Sequence, residues 1–445
     1  METAHLAYVL LFLVTAVLLF RLRRGGRSAP AKLTTAHRPH PNPVLGNTLE
    51  FIRNRRRFFD WYTDLLRASP SGAIEAWGPF GVGHAVTTAC PAAVEHLLRG
   101  NFGNYVRGPS FRAAMSELIG DGLFAADGRL WSVQRKVASY AFSSRALRRF
   151  SDDVLAVHLR GRLLPFLDAA AASGEAVDLQ DALRRFAFDS ICHVAFGVES
   201  STLLDTARGD SRHEALFAAF DAAVEISFRR ALAPFTLVRK LTGLLNVGSS
   251  RRLREAIGVI DDYAMSVVES KEAACRDRED GDGDPDLLSR FMAAMDEEDG
   301  GELGAMFPTP EGKRRLLRDV VVSFVLAGKD TTSSALTWLF WLLAANPRCE
   351  RRVRDEFSPE RWLRDGGEFV AVDAARYPVF HAGPRACLGK EMAYVQMKTV
   401  AAAVLRRFSV EVAAPAPAME SPPAYEMTAT MKMKGGLWVR LRKRE

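Results

Sequence analysis

The spacing of apolar and polar residues along the chain predicts a mainly helical protein. Helical spacing dominates residues 147–269, and a nearly continuous apolar run over residues 316–343 predicts one long buried helix. A further helix is predicted over residues 388–408 and a shorter amphipathic one over 109–118. Alternation in the glycine-rich segment 77–86 predicts a β-hairpin instead. The pattern therefore indicates a mainly α fold with small β-sheets.

An uncharged apolar run near the N-terminus has about the minimum length that spans a bilayer. It covers residues 6–20, with Thr3 and Ala4 ahead of it, and a spanning helix needs roughly 17–25 residues. Arginines follow the run at positions 21, 23, 24 and 27, so the positive-inside rule places the remaining chain in the cytosol. A cleaved signal peptide would carry its positive charge before the apolar run. We predict an uncleaved, single-pass transmembrane anchor at residues 1–24.

Prolines at positions 39, 41 and 43 follow the predicted anchor and indicate a stiff hinge. Alternating prolines cannot continue a helix and favour extended backbone. Residues 25–47 are therefore predicted to form a basic and proline-rich hinge, and residues 48–445 the folded domain. With 445 residues, of which 48% are hydrophobic, the chain can bury a large core in a single domain.

The net charge and the cysteines exclude several classes of protein. A formal charge of +7 is compatible with a membrane surface or an acidic partner, whereas the spread of arginine along the chain disfavours nucleic acid. The five cysteines share no short spacing, so neither a zinc motif nor a disulfide framework is predicted, and we expect a reducing compartment. His193 has no second histidine nearby in the sequence and is predicted to be an ordinary core or surface residue.

Residues 380–389 form a glycine-flanked loop that carries Cys387 and leads into a predicted helix. A thiolate binds metal, and a helix N-terminus beside a cation such as Arg385 lowers the pKa of a thiol. Gly383 and Gly389 let backbone approach a large flat ligand and let amide groups point at the sulfur, which Phe380 is positioned to shield from water. The alternative is an inert cysteine beside an ordinary turn.

A tryptophan and an arginine four residues apart, Trp131 and Arg135, share one face of the helix predicted to begin at Leu130. Their indole N–H and guanidinium groups suit a carboxylate at the edge of an apolar plate. The alternative is a cation–π pair on the protein surface.

The predicted long helix contains the hexapeptide Ala-Gly-Lys-Asp-Thr-Thr at residues 327–332. The Asp330 carboxylate and the Thr331 hydroxyl are costly in an apolar helix unless they bond or react. Gly328 and a threonine hydroxyl can open the helix ladder and leave a groove for O₂ and water. An ordinary helix with an outward polar face is the alternative.

Together these motifs resemble those of one enzyme family. The pattern Phe-x-x-Gly-x-Arg-x-Cys-x-Gly at 380–389 closely resembles the haem-binding loop of the haem-thiolate monooxygenases, the cytochrome P-450 superfamily. The resemblance extends over nearly everything from Arg38 onward and implies that fold, with Cys387 as the ligand of the heme b iron. The remaining roles it implies are propionate binding by Trp131 and Arg135, haem contact by Ala327, Gly328, Phe380, Gly383, Arg385 and Gly389, oxygen stabilisation by Thr331 and proton supply by Asp330.

The resemblance also implies a reaction and its partners. One oxygen atom from O₂ enters an unactivated C–H bond of a small hydrophobic substrate, with electrons from NADPH delivered by a reductase. Microsomal members suggest the endoplasmic reticulum membrane, and Arg385 and Lys390 are expected to contact the acidic reductase. Segments 325–338 and 104–109 resemble the plant group that hydroxylates fatty acids at the terminal carbon, whose close relatives oxidise jasmonoyl–amino acid conjugates at the equivalent end.

One segment of the family pattern is absent between the two chemical motifs. Thr331 and Cys387 are only 56 positions apart (387 minus 331), too few for the family's Glu-x-x-Arg helix and several strands, so a segment is predicted to be missing near 356/357. Arg361 thereby loses its partners, and Glu311 with Arg314 is predicted to lie in a loop that cannot replace them. Removing one side of a buried ion network costs about 3–5 kcal/mol. The alternative function is therefore a catalytically incompetent, membrane-bound splice or gene-model remnant.

Overall fold

A computed structural model describes residues 42, 45–78, 84–207, 213–232, 248–276, 286–296, 301–355, 373–413 and 422–444. The predicted anchor at 1–24, most of the predicted hinge, and the predicted junction at 356/357 lie outside the described residues, as does Arg361. Within the described ranges, no helix combines the length and the apolar character needed to cross a bilayer. The chain divides into two compact units, Met1–Leu97 and Leu98–Glu445.

The first unit contains short helices and one hairpin. Its described helices are α1 (Thr48–Arg53), α2 (Phe58–Ala68) and α3 (Pro91–Glu95). Strands β1 (Ala73–Trp77) and β2 (His84–Thr88) pair antiparallel, with Glu75 opposite Val86. The hairpin predicted from the alternation in this region is therefore confirmed.

The second unit is mostly helical. Its α-helices are α4 (Gly108–Ile119), α5 (Gly128–Ser139), α6 (Ser144–Arg149), α7 (Leu164–Ser173), α8 (Leu179–Phe196), α9 (Thr202–Ala207), α10 (Glu214–Leu232), α11 (Ser249–Arg276), α12 (Leu287–Asp296), α13 (Glu302–Met306), α14 (Pro310–Ala344), α15 (Pro347–Asp355) and α16 (Lys390–Arg407). Shorter 3₁₀ turns occur at Phe102–Asn104, Tyr140–Phe142, Pro378–Phe380 and Gly383–Arg385, and π-helical turns at His96–Gly100, Phe150–Val154 and Ala156–Leu163. The mainly helical prediction is confirmed.

Two small antiparallel sheets complete the second unit among the described residues. Strands β3 (Val177–Asp178) and β4 (Phe408–Val412) flank a central strand near the C-terminus, Trp438–Lys443, which is β7 in chain order. Strands β5 (Tyr425–Met427) and β6 (Met431–Met433) form a separate hairpin. Alternate residues of β7 are buried, as expected for a sheet with one face on the core.

The long helix α14 runs from one hydrophobic core to the other. Its N-terminal half, including Val321 and Val325, belongs to a core shared with α8, α10 and α11, whereas Leu336 and Phe340 belong to a core shared with α7, α16 and the β7 sheet. The hexapeptide 327–332 therefore lies where the two cores meet. Leu388 packs against the first core and Met392, four residues later, lies in the second. The cysteine loop is thus brought to the same junction.

Candidate active site

The cysteine loop is closed by a backbone bond and by a tight fit against a neighbouring segment. The Cys387 amide donates to the Phe380 carbonyl at 2.8 Å. Gly383 has a φ of +66°, and a Cβ at this position would overlap the backbone oxygen of Leu98, so the loop requires glycine here. The Phe380 ring packs against Tyr394 with centroids 4.9 Å apart. The loop is therefore a defined structure that holds Cys387 just before α16.

Burial and the polar neighbours of the Cys387 thiol shift its pKa in opposite directions. The residue is exposed, yet the protein around its sulfur removes enough water to raise the thiol pKa, and this is the largest effect. The Gly389 amide and the charge of Arg135 act in the opposite direction. The prediction that the loop lowers the pKa of the Cys387 thiol is therefore wrong, because burial outweighs the Gly389 amide and the Arg135 charge. The amide near the sulfur was expected from the sequence. The cation that acts on the thiol is Arg135 rather than its sequence neighbour Arg385.

Arg385 points into the protein. Its Nη2 donates to Asp127 Oδ1 at 2.7 Å and to the Ala126 carbonyl at 2.8 Å, and its side chain is 10% exposed. The guanidinium carbon lies 4.7 Å from the centre of the Trp131 ring. The expectation that Arg385 contacts a reductase at the surface is therefore wrong, because its guanidinium is committed to internal partners. Lys390 is exposed, as that expectation requires.

Helix α5 carries Trp131 and Arg135 to the cysteine loop. Arg135 donates from Nη2 to the carbonyl of Ala386, next to the cysteine, and its guanidinium lies 5.8 Å from the Trp131 ring centre. Burial lowers the pKa of Arg135, while the charge of Cys387 raises it. The predicted helical face is confirmed, and it is directed at the loop rather than at solvent.

A third arginine, Arg107, joins this group and was not assigned a role from the sequence. Its backbone amide lies 3.2 Å from both carboxylate oxygens of Asp127. Burial lowers its pKa, and its Nε is buried without a hydrogen-bond partner among the described residues. Arg107 and Arg385 thus lie beside the Asp127 carboxylate, and Arg135 is close enough to Arg385 for their charges to interact; we call these three residues the arginine cluster. The segment 104–109 was noted only as a family resemblance, and nothing local distinguishes Arg107 from a surface arginine.

The hexapeptide lies within an unbroken helix. Thr331 Oγ donates to the Ala327 carbonyl at 2.7 Å, one turn back, and Thr331 is exposed. A Cβ at Gly328 would lie 2.5 Å from a side-chain carbon of Ile191 in α8. The glycine therefore permits α8 and α14 to approach closely, whereas the sequence had suggested that it opens the helix ladder. Thr331 thus bonds within its own helix and lies on the exposed side of α14.

Asp330 belongs to an ion network that links four elements. Its partner is Lys329, which is fully buried and whose Nζ also lies 4.0 Å from Asp221 Oδ1 in α10. The other Asp221 oxygen accepts from Arg184 of α8 at 3.0 Å and from Lys432 of β6 at 2.6 Å. Burial alone would raise the pKa of Asp221, but these three cations together lower it. Lys329, Asp330 and Asp221 with their partners form what we call the Asp221 network.

Comparison with known proteins shows the family of this chain. A family model described as Cytochrome P-450 matches residues 37–357 and 355–434. The chain is 34% identical to cytochrome P-450 94B1 of Arabidopsis thaliana over 531 aligned positions, covering 100% of this chain and 99% of the relative. It is 33% identical to cytochrome P-450 94A2 of Vicia sativa over 533 positions, with the same coverage, and 34% identical to cytochrome P-450 94B3 of Arabidopsis thaliana over 525 positions, covering 99% of both.

The chain belongs to the cytochrome P-450 family. It is by family a haem-thiolate monooxygenase that uses heme iron, with NADPH as the electron source through a reductase, and the family's redox partner, O₂ and hydrophobic substrate apply in general terms. The two matched segments adjoin at residues 355–357, and the alignment of 531 positions is longer than the 445-residue chain.

The residues of this P-450 chain fit a haem group. The arginine cluster carries three positive charges, and Asp127 is the carboxylate that pairs with it among the described residues. The buried Arg107 Nε has no hydrogen-bond partner there. Two propionates would balance the remaining charge and supply the missing acceptor. Cys387 offers a soft thiol ligand at a loop that is closed by backbone bonds. Haem bound here supplies one-electron and O₂ chemistry that no side chain can supply.

One smaller sequence prediction is wrong, and one contact was not anticipated. Glu311 and Arg314 lie in the first turns of α14 rather than in a loop, and Arg314 pairs with Glu272 at 2.5 Å on the surface. They do not form the buried Glu-x-x-Arg pair of the family, as was expected. His193 does have a histidine neighbour, because His158 Nε2 lies 3.0 Å from its Nδ1. The two are 35 positions apart, so their contact depends on tertiary packing.

Proposed function

We propose that this chain is a terminal hydroxylase of fatty acids or related oxylipins. The observation that carries the proposal is that helix α5 brings Trp131 and Arg135 to the Cys387 loop, where Arg135 bonds to the Ala386 carbonyl. The similarity to family members numbered 94 supports the group suggested by segments 325–338 and 104–109. The reaction places one atom of O₂ into the terminal C–H bond of the substrate.

The residues have distinct proposed roles. Cys387 would hold the haem iron as thiolate, Phe380, Gly383 and Gly389 would shape the loop around it, and Ala327 and Gly328 would contact the haem. Trp131 and the arginine cluster hold the propionates, since indole and guanidinium groups donate to carboxylates. The Thr331 hydroxyl, which donates its proton to the Ala327 carbonyl, would accept a hydrogen bond beside the site where O₂ reacts. Asp330, half-buried and paired with Lys329, passes protons from solvent towards Thr331.

The cellular setting is also a proposal. The apolar run at 6–20 and the arginines after it support a single-pass anchor in the endoplasmic reticulum membrane, with the rest of the chain cytosolic. The exposed Lys390 beside the cysteine loop supports docking of an acidic reductase on that side.

Turnover of two labelled substrates tests the assignment. Microsomes containing the chain and a plant reductase receive lauric acid and, separately, jasmonoyl-isoleucine, and products are separated by mass spectrometry. We expect a terminal alcohol from one of them. The reduced, carbon monoxide-treated protein should show the Soret band of a thiolate-ligated haem, and Cys387→Ser should abolish it while Cys349→Ser, at another exposed cysteine, should not. A band retained in Cys387→Ser refutes the ligand assignment, and a band without any product refutes the substrate assignment.

The two adjoining family matches favour one second candidate, a catalytically incompetent remnant. Loss of the Glu-x-x-Arg helix would remove the partners that the family pattern provides for Arg361, and breaking a typical buried ion network costs about 3–5 kcal/mol. Inserting at 356/357 the corresponding segment of cytochrome P-450 94B1 tests this candidate. Recovery of a carbon monoxide band that the native chain lacks supports the remnant, whereas equal bands before and after insertion contradict it.

The role of Arg107 has its own test. Haem transfer to an excess of apomyoglobin measures the rate of haem loss without requiring turnover. Arg107→Gln should release haem about tenfold faster, since a charge-assisted hydrogen bond contributes about 1.5–3 kcal/mol. Arg112→Gln, at an exposed arginine five positions away that lies 3.5 Å from Asp121, is the matched control. Equal release from both variants contradicts the proposed role of the arginine cluster.

A further inference from the structure

A turn in the first unit presents four arginines within five positions. Residues 53–57 read Arg-Asn-Arg-Arg-Arg and connect α1 to α2. The outer two arginines are paired, one with Glu50 at 3.2 Å and the other with Asp64 at 2.6 Å. The inner two, Arg55 and Arg56, are exposed and have no carboxylate partner within the described ranges. Two positive charges at this turn are therefore uncompensated.

The turn is rigid, so these charges stay directed outward. The Phe51 and Trp61 rings meet edge to face with centroids 5.3 Å apart, and the Phe58 and Tyr62 rings lie 4.6 Å apart, which ties α1 to α2. Asn54 caps α1 with its backbone and side-chain nitrogens, both bonded to the carbonyl one turn earlier at 3.0 and 2.9 Å. A basic turn braced by aromatic packing loses little conformational entropy when it binds a flat anionic surface.

The neighbouring residues define the kind of partner. Ile52, next to the arginines, is 48% exposed and offers an apolar side chain at the same surface. An apolar side chain beside unpaired cations suits the boundary between the headgroups and acyl chains of an anionic bilayer. An extended polyanion such as nucleic acid would offer no apolar layer for the Ile52 side chain. We propose that Ile52 and residues 53–57, the arginine turn, bind the surface of a membrane that contains anionic phospholipid.

This contact is independent of the hydroxylase activity and adds to any anchor. Each unpaired arginine near an anionic surface contributes about 1 kcal/mol, so the two together strengthen binding about 30-fold over a neutral membrane. The contribution is electrostatic and should disappear at high salt, where the screening length falls to about 3 Å.

Partitioning of the full chain into lipid vesicles tests the proposal. Binding is titrated with vesicles of phosphatidylcholine alone and with vesicles that contain about 30% phosphatidylserine, which gives the membrane a strongly negative surface. The wild type is compared with the variants R55Q/R56Q and R148Q/R149Q, of which the second removes two exposed arginines from α6 in the other unit. All three keep the same N-terminal sequence, so any anchor contributes equally.

The expected result is specific to the arginine turn. The preference for serine-containing vesicles should fall about 30-fold in R55Q/R56Q and remain within a factor of about two in R148Q/R149Q. Hydrogen–deuterium exchange at residues 50–60 should slow only on serine-containing vesicles, which reports the contact even where an anchor saturates partitioning. An unchanged preference in R55Q/R56Q, an equal fall in both variants, or unaltered exchange at 50–60 overturns the proposal.

Discussion

Acidification should destabilise the second unit through one buried histidine. His158 lies in the π-helical turn Ala156–Leu163 and is 1% exposed. Its Nδ1 lies 3.2 Å from Arg162 Nη1 and its Nε2 lies 3.0 Å from His193 Nδ1. Because arginine only donates hydrogen bonds, His158 Nδ1 must accept, and the imidazole proton sits on Nε2, where it is donated to His193. A second proton on His158 would therefore face the guanidinium donor.

The size of the effect follows from the pKa of His158. Burial, the charge of Arg162 and that of His193 lower this pKa from 6.5 to about 3. The unfolded chain therefore binds a proton near pH 6.5 that the folded chain refuses, so stability falls as the pH drops below 6.5 and the loss stops near pH 3. One pKa unit corresponds to about 1.4 kcal/mol, so acidification to pH 5 costs about 2 kcal/mol. Typical total stabilities are only about 5–15 kcal/mol.

Urea unfolding at pH 7, 6 and 5, followed by tryptophan fluorescence, measures this loss. His158→Gln is the informative variant, because a glutamine can accept from Arg162 and donate to His193 but does not titrate in this range. We expect the wild type to lose about 2 kcal/mol more than the variant between pH 7 and 5. His193→Gln separates the pair, since burial also lowers the pKa of His193.

Two carboxyl groups act in the opposite direction and are common to both proteins. Burial raises the pKa values of Asp189 and Asp319, so folding gains stability as the pH falls through their folded pKa values. The difference between wild type and His158→Gln removes these contributions. Parallel pH profiles for the two proteins would refute the reasoning, because they would mean that His158 takes up its proton in the folded state as readily as in the unfolded chain.

Three further substitutions have defined outcomes. Asp221→Asn leaves buried cations of the Asp221 network without their carboxylate and should lower the free energy of urea unfolding by about 3–5 kcal/mol at pH 7. The control Asp64→Asn, in an exposed ion pair, should lower it by less than about 1 kcal/mol. Equal losses in the two variants would contradict the network. Because its pKa is lowered, the Asp221 contribution should disappear as the pH falls through that pKa. Gly383→Ala places a methyl group in neighbouring backbone and should reduce the thiolate Soret band while circular dichroism stays unchanged; an unaltered band would show that the loop tolerates a side chain. Gly328→Ala should cost about 1–3 kcal/mol by overpacking, and Ile191→Ala should recover part of that loss; an additive double variant would contradict their contact.

The periodic parts of the fold could be predicted from the sequence because their signals are local. The apolar run at 316–343 indicated α14, and the helix extends back to Pro310. Its first turns were missed because Lys313 and Arg314 interrupt the apolar pattern. Both side chains pair with carboxylates on other helices, Asp296 and Glu272, so a polar stretch that resembled a loop is a helix held by tertiary contacts.

The site could be predicted only where its chemistry follows one motif. Cys387 and its loop, and the helical face of Trp131, are local patterns. Asp127 was not predicted, because it meets Arg385 across 258 positions of sequence. Asp221 likewise reaches Lys432 across 211 positions, and neither residue has a sequence signature. Such pairings are chosen by packing of distant elements, so they require the fold.

Strand β7 follows the other described strands in the sequence but lies in the middle of its sheet. During vectorial synthesis β3 waits for β7 over 260 positions (438 minus 178), whereas β4 ends only 26 positions before β7 begins (438 minus 412). The amide of Leu437, which leads into β7, donates to Asp178, the last residue of β3, across 259 positions. Contacts between residues so far apart in sequence form late in folding, because closing the long loop between them costs conformational entropy. A chain that ends before β7 therefore leaves the edges of β3 and β4 without their partner strand and open to pairing with other chains.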